Sequence, residues 1–236
     1  MVILSAPLGL PESRGFFLTD AKLFRKWSGG HWPNNEFFSA KSCLPPGRSQ
    51  TRKTEMRIIA GKFKGTKLFT PKGHMLRPTS DRVREYIFSC LYTVSDTIVL
   101  DLFAGTGSFG IEALSRGATE VVFVDSAAAA IAIVKKNLAR LSLEAPVYRM
   151  RADHYLKMCL KDKKKFDIIF CDPPYAFGDI HQISAPGGAD ALLKKGGIFI
   201  YEYSSRAAIP ELGGLSLYKD KIIGDTRISM YRSDEK

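Results

Sequence analysis

Short apolar runs and longer amphipathic stretches alternate along most of the chain. The apolar runs predict strands at 97–100, 120–124, 147–149, 166–171 and 198–202. The amphipathic stretches place apolar residues at helical spacing and predict helices at 82–92, 109–116, 127–141 and 155–160. Ser80 or Asp81 stands where a side chain can cap the first of these helices. Strands and helices that alternate in this way form a parallel sheet with helices on both faces.

Two segments depart from this alternation. Near the end, predicted strands at 215–223 and 226–232 flank Gly224-Asp225, which indicates an antiparallel hairpin. Near residue 56, two short strands around a basic turn predict a second, smaller hairpin. The fold class is therefore α/β and Rossmann-like. We expect a mostly parallel seven-stranded sheet with an antiparallel C-terminal hairpin, preceded by a small N-terminal β-hairpin.

The first 55 residues show neither the helical nor the strand period. Gly-Gly, Pro-Asn-Asn and Pro-Pro-Gly tracts interrupt them. We interpret residues 1–55 as a poorly ordered extension that can lie outside the functional protein, with Met56 as an alternative start. The basic β-hairpin then occupies residues 56–76, and the main α/β domain occupies residues 77–236.

The charge of the chain favours a polyanionic partner such as nucleic acid, because the formal net charge is +11. Without residues 1–55 the chain still has 27 Lys and Arg against 20 Asp and Glu. Its four cysteines lack CxxC spacing and its four histidines show no pairing, so we expect neither disulfides nor a metal site. No apolar run approaches the roughly 20 residues of a membrane helix. We expect a cytoplasmic monomer that uses neither a metal nor a membrane.

The first candidate site is a strand that ends in an acid and continues into a glycine loop. Asp101 ends the strand, and Gly105 and Gly107 lead into the next helix. Ligands of such sheets bind beyond the carboxyl ends of the strands, and glycine allows close approach to the backbone. The spacing also fits the GxGxxG loop of dinucleotide-binding proteins. A carboxylate at the strand end would repel a pyrophosphate but can hold the amino group of a methionine moiety. The loop, including Phe103, therefore favours S-adenosylmethionine over NAD as the cofactor.

Two further acids follow the next strands and extend the predicted cofactor site. Asp125 ends the strand at 120–124, where a carboxylate suits the two hydroxyls of a ribose. Asp153 follows the strand at 147–149 and can accept a hydrogen bond from an adenine amino group. These positions indicate a nucleoside ligand without deciding which one.

The candidate catalytic motif is Asp172-Pro173-Pro174-Tyr175, directly after the strand at 166–171. Two prolines hold the backbone extended and remove two N–H donors. The Asp172 carboxylate and the Pro173 carbonyl can then both accept from one NH2 group, which directs the nitrogen lone pair at a methyl on sulfur. Tyr175 can stack on the plane of a nucleic-acid base. The motif therefore predicts methylation of an exocyclic amino group.

Six stretches resemble the RsmD family of class I methyltransferases in order and spacing. They are Met56-Arg57-Ile58-Ile59-Ala60-Gly61, Gly65, Arg77-Pro78-Thr79, Asp81-Arg82-Val83-Arg84-Glu85, the loop from Asp101 to Gly107, and Asp172-Pro173-Pro174-Tyr175. The resemblance implies a class I fold and methylation of a guanine 2-amino group in small-subunit ribosomal RNA. It also implies that Arg77 and Thr79 shape the cofactor site.

Basic residues of the N-terminal hairpin and the first helix are candidate contacts to ribosomal RNA or the small ribosomal subunit. They are Arg57, Lys62, Lys64, Lys67, Arg82 and Arg84. Three other functions stay open at this point. The motif also serves adenine-amino methylation of DNA or RNA, a dehydrogenase would use the glycine loop, and a non-catalytic RNA-binding assembly factor would need only the basic surface.

Overall fold

The computed structural model of the chain describes residues 55–71, 79–174, 180, 183 and 188–233. Its strands are β1 Ile98–Leu102, β2 Glu120–Asp125, β3 Val147–Arg149, β4 Phe166–Cys171, β5 Leu193–Ser204, β6 Leu215–Ile223 and β7 Thr226–Ser233. Its helices are α1 Thr79–Cys90, α2 Ser108–Ser115, α3 Ala128–Arg140, α4 Ala152–Lys161 and α5 Ala189–Leu192. The predicted extension lies outside these residues, apart from Glu55.

All seven strands form one sheet in the order β3-β2-β1-β4-β5-β7-β6. Strands β1 to β5 pair in parallel, and β7 pairs antiparallel with both β5 and β6. The central strands are rich in Val, Ile, Leu and Phe because parallel strands are covered on both faces. The predicted α/β class, the seven strands and the antiparallel C-terminal hairpin are confirmed.

Alternate residues of each strand enter two separate hydrophobic cores. Val99 and Val121 belong to the core that includes residues of α1, α2 and α3. Leu100 and Val122 belong to the other core, with residues of α4 and α5. This alternation is the two-residue period of a strand, so the face on which an acid lies follows from its position along the strand.

The predicted N-terminal β-hairpin is present as a chain reversal with a single β-bridge, between Arg57 and Lys67. The two arms exchange backbone hydrogen bonds between residues 56–58 and 65–68, but the pairing ends where the backbone bonds to α2. Glu112 of α2 accepts hydrogen bonds from the N–H groups of Ile59 and Ala60, at 2.7 and 2.9 Å. This N-terminal segment, residues 55–71, therefore lies on α2 and belongs to the same compact unit as the sheet.

Several predicted element boundaries were wrong by a few residues. Helix α1 begins at Thr79, so Ser80 and Asp81 lie inside its first turn and do not cap it from outside. An acid in the first turn still interacts favourably with the helix dipole, which explains its position. Strand β5 begins at Leu193, five residues earlier than predicted. Among the described helices, none has the length and apolar character needed to cross a membrane.

Candidate functional site

A cleft opens at the carboxyl ends of β1, β4 and β5. Its walls come from the glycine loop after β1, from α1 and from the start of α2. Three acids line it, Asp101, Asp172 and Glu202, together with the buried cation Arg84. The stacked rings of Phe109 and Phe170, with centroids 3.9 Å apart, also lie along this cleft. Charged groups therefore meet in a partly apolar pocket, where their interactions are stronger than in water.

The glycine loop presents its backbone to the cleft. Gly105 has a φ of 56°, a left-handed conformation that favours glycine. A Cβ at this position would meet no atom closer than the Phe103 carbonyl oxygen, at 3.8 Å. Gly107, in contrast, is closely packed: a Cβ at this position would lie 3.2 Å from the side chain of Val134. The first glycine leaves space for a ligand beside the backbone, and the second allows α2 to pack against α3.

Asp101 is the most deeply buried acid of the cleft, with 1% of its surface exposed. Its Oδ2 accepts a hydrogen bond from the N–H of Gly110 at 3.0 Å. Burial raises the pKa of this carboxyl well above its ordinary value, which the bond from Gly110 opposes and the charges of Asp172 and Asp125 increase. A buried carboxyl in this state gains stability from a cationic group bound beside it. Asp101 therefore fits a ligand that carries an amino group.

Asp125 ends β2 and Asp153 follows β3, and neither lines the cleft. Asp125 accepts from the N–H of Gly105 at 2.9 Å and from that of Ala127 at 2.8 Å, so it ties the glycine loop to the start of α3. Asp153 binds the guanidinium of Arg151 at 2.9 Å, which holds the pKa of its carboxyl below the ordinary value. Both carboxylates stand at the same edge of the sheet as Asp101, where an extended nucleoside can reach them.

Asp172 stands directly after β4 and lines the cleft, and Pro173 and Pro174 follow it in the chain. Pro173 is buried and Pro174 is exposed. Asp172 is open to solvent in the cleft although protein atoms crowd it on most sides, and this crowding raises the pKa of its carboxyl to about 7. The structure thus brings the candidate catalytic acid together with Asp101 and the glycine loop. Tyr175 and Arg77 lie outside the described residues, as does the side chain of Thr79.

Arg84 differs from the other predicted RNA contacts because it lies buried in the wall of the cleft and not on the exposed surface. It is 4% exposed. Its Nη2 donates to Asp81 Oδ1 at 2.7 Å and to the Arg57 carbonyl oxygen at 3.0 Å. Within the described residues its buried Nε has no hydrogen-bond partner. Arg84 lies one turn before Ile87 and Phe88, which pack in the core, so this face of α1 directs the guanidinium inwards.

The other predicted RNA contacts are exposed on the N-terminal segment and α1. They are Arg57, Lys62, Lys64, Lys67 and Arg82. Lys67 forms an exposed ion pair with Glu55, and Lys62 lies over the ring of Phe63 at 5.4 Å. Their placement leaves the charge free to meet a polyanion, and the RNA contact itself stays a prediction.

Two polar residues that matter for this site, the half-buried Glu202 and the buried Asn137, were missed in the sequence. Glu202 ends the apolar run Ile198–Tyr201, the same signal that singled out Asp101. Asn137 is fully buried on α3; it accepts from the Phe69 N–H at 2.7 Å and donates to the Thr106 carbonyl at 2.9 Å. It thereby fastens the N-terminal segment to the glycine loop. A polar residue next to Leu138 on the apolar face of a helix was the available signal.

Comparison with known proteins gives this site its context. Residues 56–232 match the protein family described as Conserved hypothetical protein 95. The chain is 34% identical over 185 residues to the ribosomal RNA small subunit methyltransferase D of Haemophilus influenzae, covering 77% of this chain and 95% of that protein.

Solved structures agree with this match. The Escherichia coli protein yhhF superposes with a TM-score of 0.66 at 32% identity, covering 77% of this chain and 99% of that one. The 16S rRNA methyltransferase RsmC of Thermus thermophilus, solved with AdoMet and guanosine, has a TM-score of 0.52 at 23% identity and covers 69% of this chain and 44% of that one. At that identity RsmC supports the class I methyltransferase fold alone. The resemblance found in the sequence is therefore confirmed, and the chain belongs to the RsmD family, the ribosomal RNA small subunit methyltransferases D.

Proposed function

We propose that the chain transfers a methyl group from S-adenosylmethionine to the 2-amino group of a guanine in small-subunit ribosomal RNA. The observation that carries the proposal is the position of Asp172 in the cleft that Asp101 and the glycine loop also line, with Pro173 next to it in the chain. An amino group held by Asp172 and Pro173 would lie beside a cofactor held by Asp101 and the glycine loop. The relative from Haemophilus influenzae, a ribosomal RNA small subunit methyltransferase, supports the same substrate class.

The residues of the cleft fit S-adenosylmethionine as the cofactor. Asp101 would hold its cationic amino group, because that buried carboxyl gains from a neighbouring positive charge. The open backbone beside Gly105 leaves room for the methionine chain. Asp125 and Asp153 would accept from the ribose hydroxyls and the adenine amino group, and Phe103, Gly107, Arg77 and Thr79 would complete the site. The bound cofactor supplies an electrophilic methyl on sulfur.

The chain's own residues would then position the acceptor nitrogen. The base must leave its stack to reach the cleft. The Asp172 carboxylate and the Pro173 carbonyl accept hydrogen bonds from the two N–H groups of the amino group. Tyr175 stacks on the plane of the base. Holding two reactants in line can lower the barrier by ~7–11 kcal/mol. The nitrogen that has gained a methyl group carries a surplus proton, and a carboxyl with a pKa of about 7 can accept it near neutral pH.

The exposed cations of the N-terminal segment would hold the RNA backbone beside the cleft. Lys62 and Lys64 project from the tip of the chain reversal, and Arg57, Lys67 and Arg82 lie near it. Contacts to phosphate position a nucleic acid without reading its sequence. We also propose that the protein acts in the cytoplasm as a monomer, on either free RNA or the small ribosomal subunit.

Methyl transfer with identification of the product tests this proposal. Tritiated S-adenosylmethionine is incubated with unmodified small-subunit RNA and with small subunits, and the labelled nucleoside is identified by mass spectrometry. Label in 2-methylguanosine is the expected result. Label in 6-methyladenosine would keep the mechanism and change the substrate to adenine. Absence of label on any nucleic acid, with a folded protein that binds the cofactor, would overturn the proposed substrate.

A further inference from the structure

The residues of the cleft around Asp172 combine hydrogen-bond acceptors with a donor. In the β4–β5 ladder Phe170 pairs with Ile200 and Cys171 with Tyr201. The next pair along these strands is therefore Asp172 beside Glu202. Neighbouring strands lie about 4.8 Å apart, and residues paired in register point to the same face of the sheet. Both carboxyls line the cleft.

The face on which they lie follows from the same register. Phe170 and Ile200 belong to the core covered by α1, α2 and α3, whereas Cys171 and Tyr201 belong to the opposite core. The next residues, Asp172 and Glu202, thus return to the first face. That face also carries Arg84, whose buried guanidinium lines the cleft and acts electrostatically on Glu202.

The sheet order places the two carboxyls on neighbouring strands, each one step further from the cofactor loop. The glycine loop follows β1, Asp172 follows β4, and Glu202 ends the apolar part of β5, which is the next strand. Helix α1 carries Arg84 into the wall of the same cleft, within electrostatic reach of Glu202. The cleft therefore offers two acceptors on adjacent strands and one donor.

We propose that Glu202 and Arg84 read the Watson–Crick edge of the target base and select guanine. Resting on the proposed function, this inference deepens it by assigning base specificity to residues outside the Asp-Pro-Pro-Tyr motif. The edge of guanine offers its 2-amino group, its N1–H and its O6 in that order. Asp172 takes the first, Glu202 accepts from the second, and Arg84 donates to the third.

The same arrangement rejects adenine. An adenine whose amino group lies at Asp172 turns its N1 lone pair towards Glu202, so two acceptors meet. It has no oxygen for Arg84, whose Nε would then lack an acceptor in a buried place. Sites built to hydrogen-bond a group discriminate strongly against analogues that lack it, because their own buried polar groups are left unpaired. In its ionised form the Glu202 carboxyl only accepts hydrogen bonds, so it offers no donor to the N1 of adenine.

The test compares two RNAs that both carry the reacting amino group. One has guanine at the methylated position, and the other has 2-aminopurine, which keeps the 2-amino group but lacks N1–H and O6. Methyl transfer is measured as kcat/KM for the wild-type protein and for Glu202→Gln. The matched control is Glu144→Gln, an exposed acid before β3. Thermal unfolding and cofactor affinity are recorded for each variant.

The wild-type protein is expected to prefer guanine by about 100-fold or more, because a hydrogen-bonding site discriminates at this level. In Glu202→Gln the side-chain amide can donate to N1 of 2-aminopurine, so the preference should fall by about 10-fold or more with unchanged cofactor affinity. Glu144→Gln should keep the wild-type ratio.

Other outcomes separate the two proposals. Equal losses on both RNAs, with the ratio unchanged, would show that Glu202 is structural and would overturn the inference. A wild-type preference below about 3-fold would overturn it without any variant, so misfolding of Glu202→Gln cannot protect it. If the wild-type protein methylates no guanine in the first place, the proposed function fails and the inference falls with it.

Discussion

The proposed chemistry of this protein rests on single carboxyl groups, and burial changes the pKa of each. Asp101, Asp172 and Glu202 meet in one cleft, and burial is the largest cause of the raised pKa of each. Like charges in a poorly solvated place destabilise one another. The site is therefore held in an unfavourable state by the rest of the fold, and a bound cation and a bound amino group would relieve it.

At the residue scale, Asp172→Asn should remove activity and stabilise the fold. The pKa of Asp172 is raised to about 7, whereas that of an unfolded Asp is about 3.9. Between these values the folded protein holds a proton that the unfolded chain has released, so this group contributes less stability as pH rises towards 7. Removing the charge should therefore raise the urea midpoint, and more at pH 8 than at pH 5.

The same variant should lose about 100-fold or more in kcat/KM, because the amino group is no longer held in line. Asp162→Asn, at an exposed position after α4, is the control and should change neither quantity. A lower urea midpoint for Asp172→Asn at pH 8 would contradict the pKa assigned to this carboxyl.

At the element scale, the N-terminal segment is held by side chains of the helices beneath it. Glu112 and Ser115 of α2 bind its backbone at residues 59–63, and Asn137 of α3 binds Phe69 at both its N–H and its carbonyl. Buried polar groups of this kind are costly unless every partner is present. The contacts therefore position the segment's basic surface relative to the glycine loop.

Glu112→Gln should loosen this attachment while leaving the sheet intact. The carboxylate accepts from Ile59 N–H, Ala60 N–H and Arg116 Nε, whereas an amide offers only one acceptor oxygen. One buried N–H is then left unpaired, and we expect a loss of about 1–3 kcal/mol in the free energy of unfolding. Amide hydrogen exchange at residues 59 and 60 should accelerate.

Glu85→Gln changes the same chemical group at an exposed position of α1 and should leave exchange at residues 59 and 60 as in the wild-type protein. Unchanged exchange in Glu112→Gln would mean that backbone packing, and not this carboxylate, holds the segment.

At the scale of the whole molecule, one group of exposed cations lies on the same face of the sheet as the cleft. The face covered by α1, α2 and the N-terminal segment carries the exposed cations beside the cleft, and α4 covers the other face. A polyanion that reaches the cleft would meet the exposed cations of the N-terminal segment and α1. The net charge of +11 favours association, and the placement of these residues directs it.

Replacing Lys62 and Lys64 together by alanine should weaken RNA binding without affecting the cofactor. With fewer phosphate contacts, binding releases fewer counterions. The slope of log affinity against log salt should therefore fall by about 1 to 2 in magnitude. Filter binding across a salt series measures this slope, and calorimetry measures cofactor affinity. The double change of Lys157 and Lys161 to alanine on α4 removes equal charge and should leave the slope unaltered. Equal slopes for the two double variants would mean that RNA does not contact the N-terminal segment.

The sequence by itself determined the order and type of the elements and the identity of the main reactive groups. Strand and helix periods are local properties, so β3, β4 and β6 were predicted at their observed bounds. The sequence also showed Asp101 near the end of β1, the glycine loop after it and the Asp-Pro-Pro motif. Each is a contiguous stretch whose chemistry depends on few neighbours. The prediction was weakest at element ends, where capping and packing compete.

Only the tertiary structure decided which of these groups meet. Glu202 stands beside Asp172 because β5 pairs with β4 in one register, and strands so distant in sequence do not reveal their register locally. Arg84 looked like one more surface cation until the packing of α1 buried it. The predicted hairpin became a segment on α2 because Glu112, more than 50 residues away, accepted its backbone N–H groups. Burial and register arise from contacts between segments that are remote in sequence. These contacts bring acids from separate strands together in one cleft.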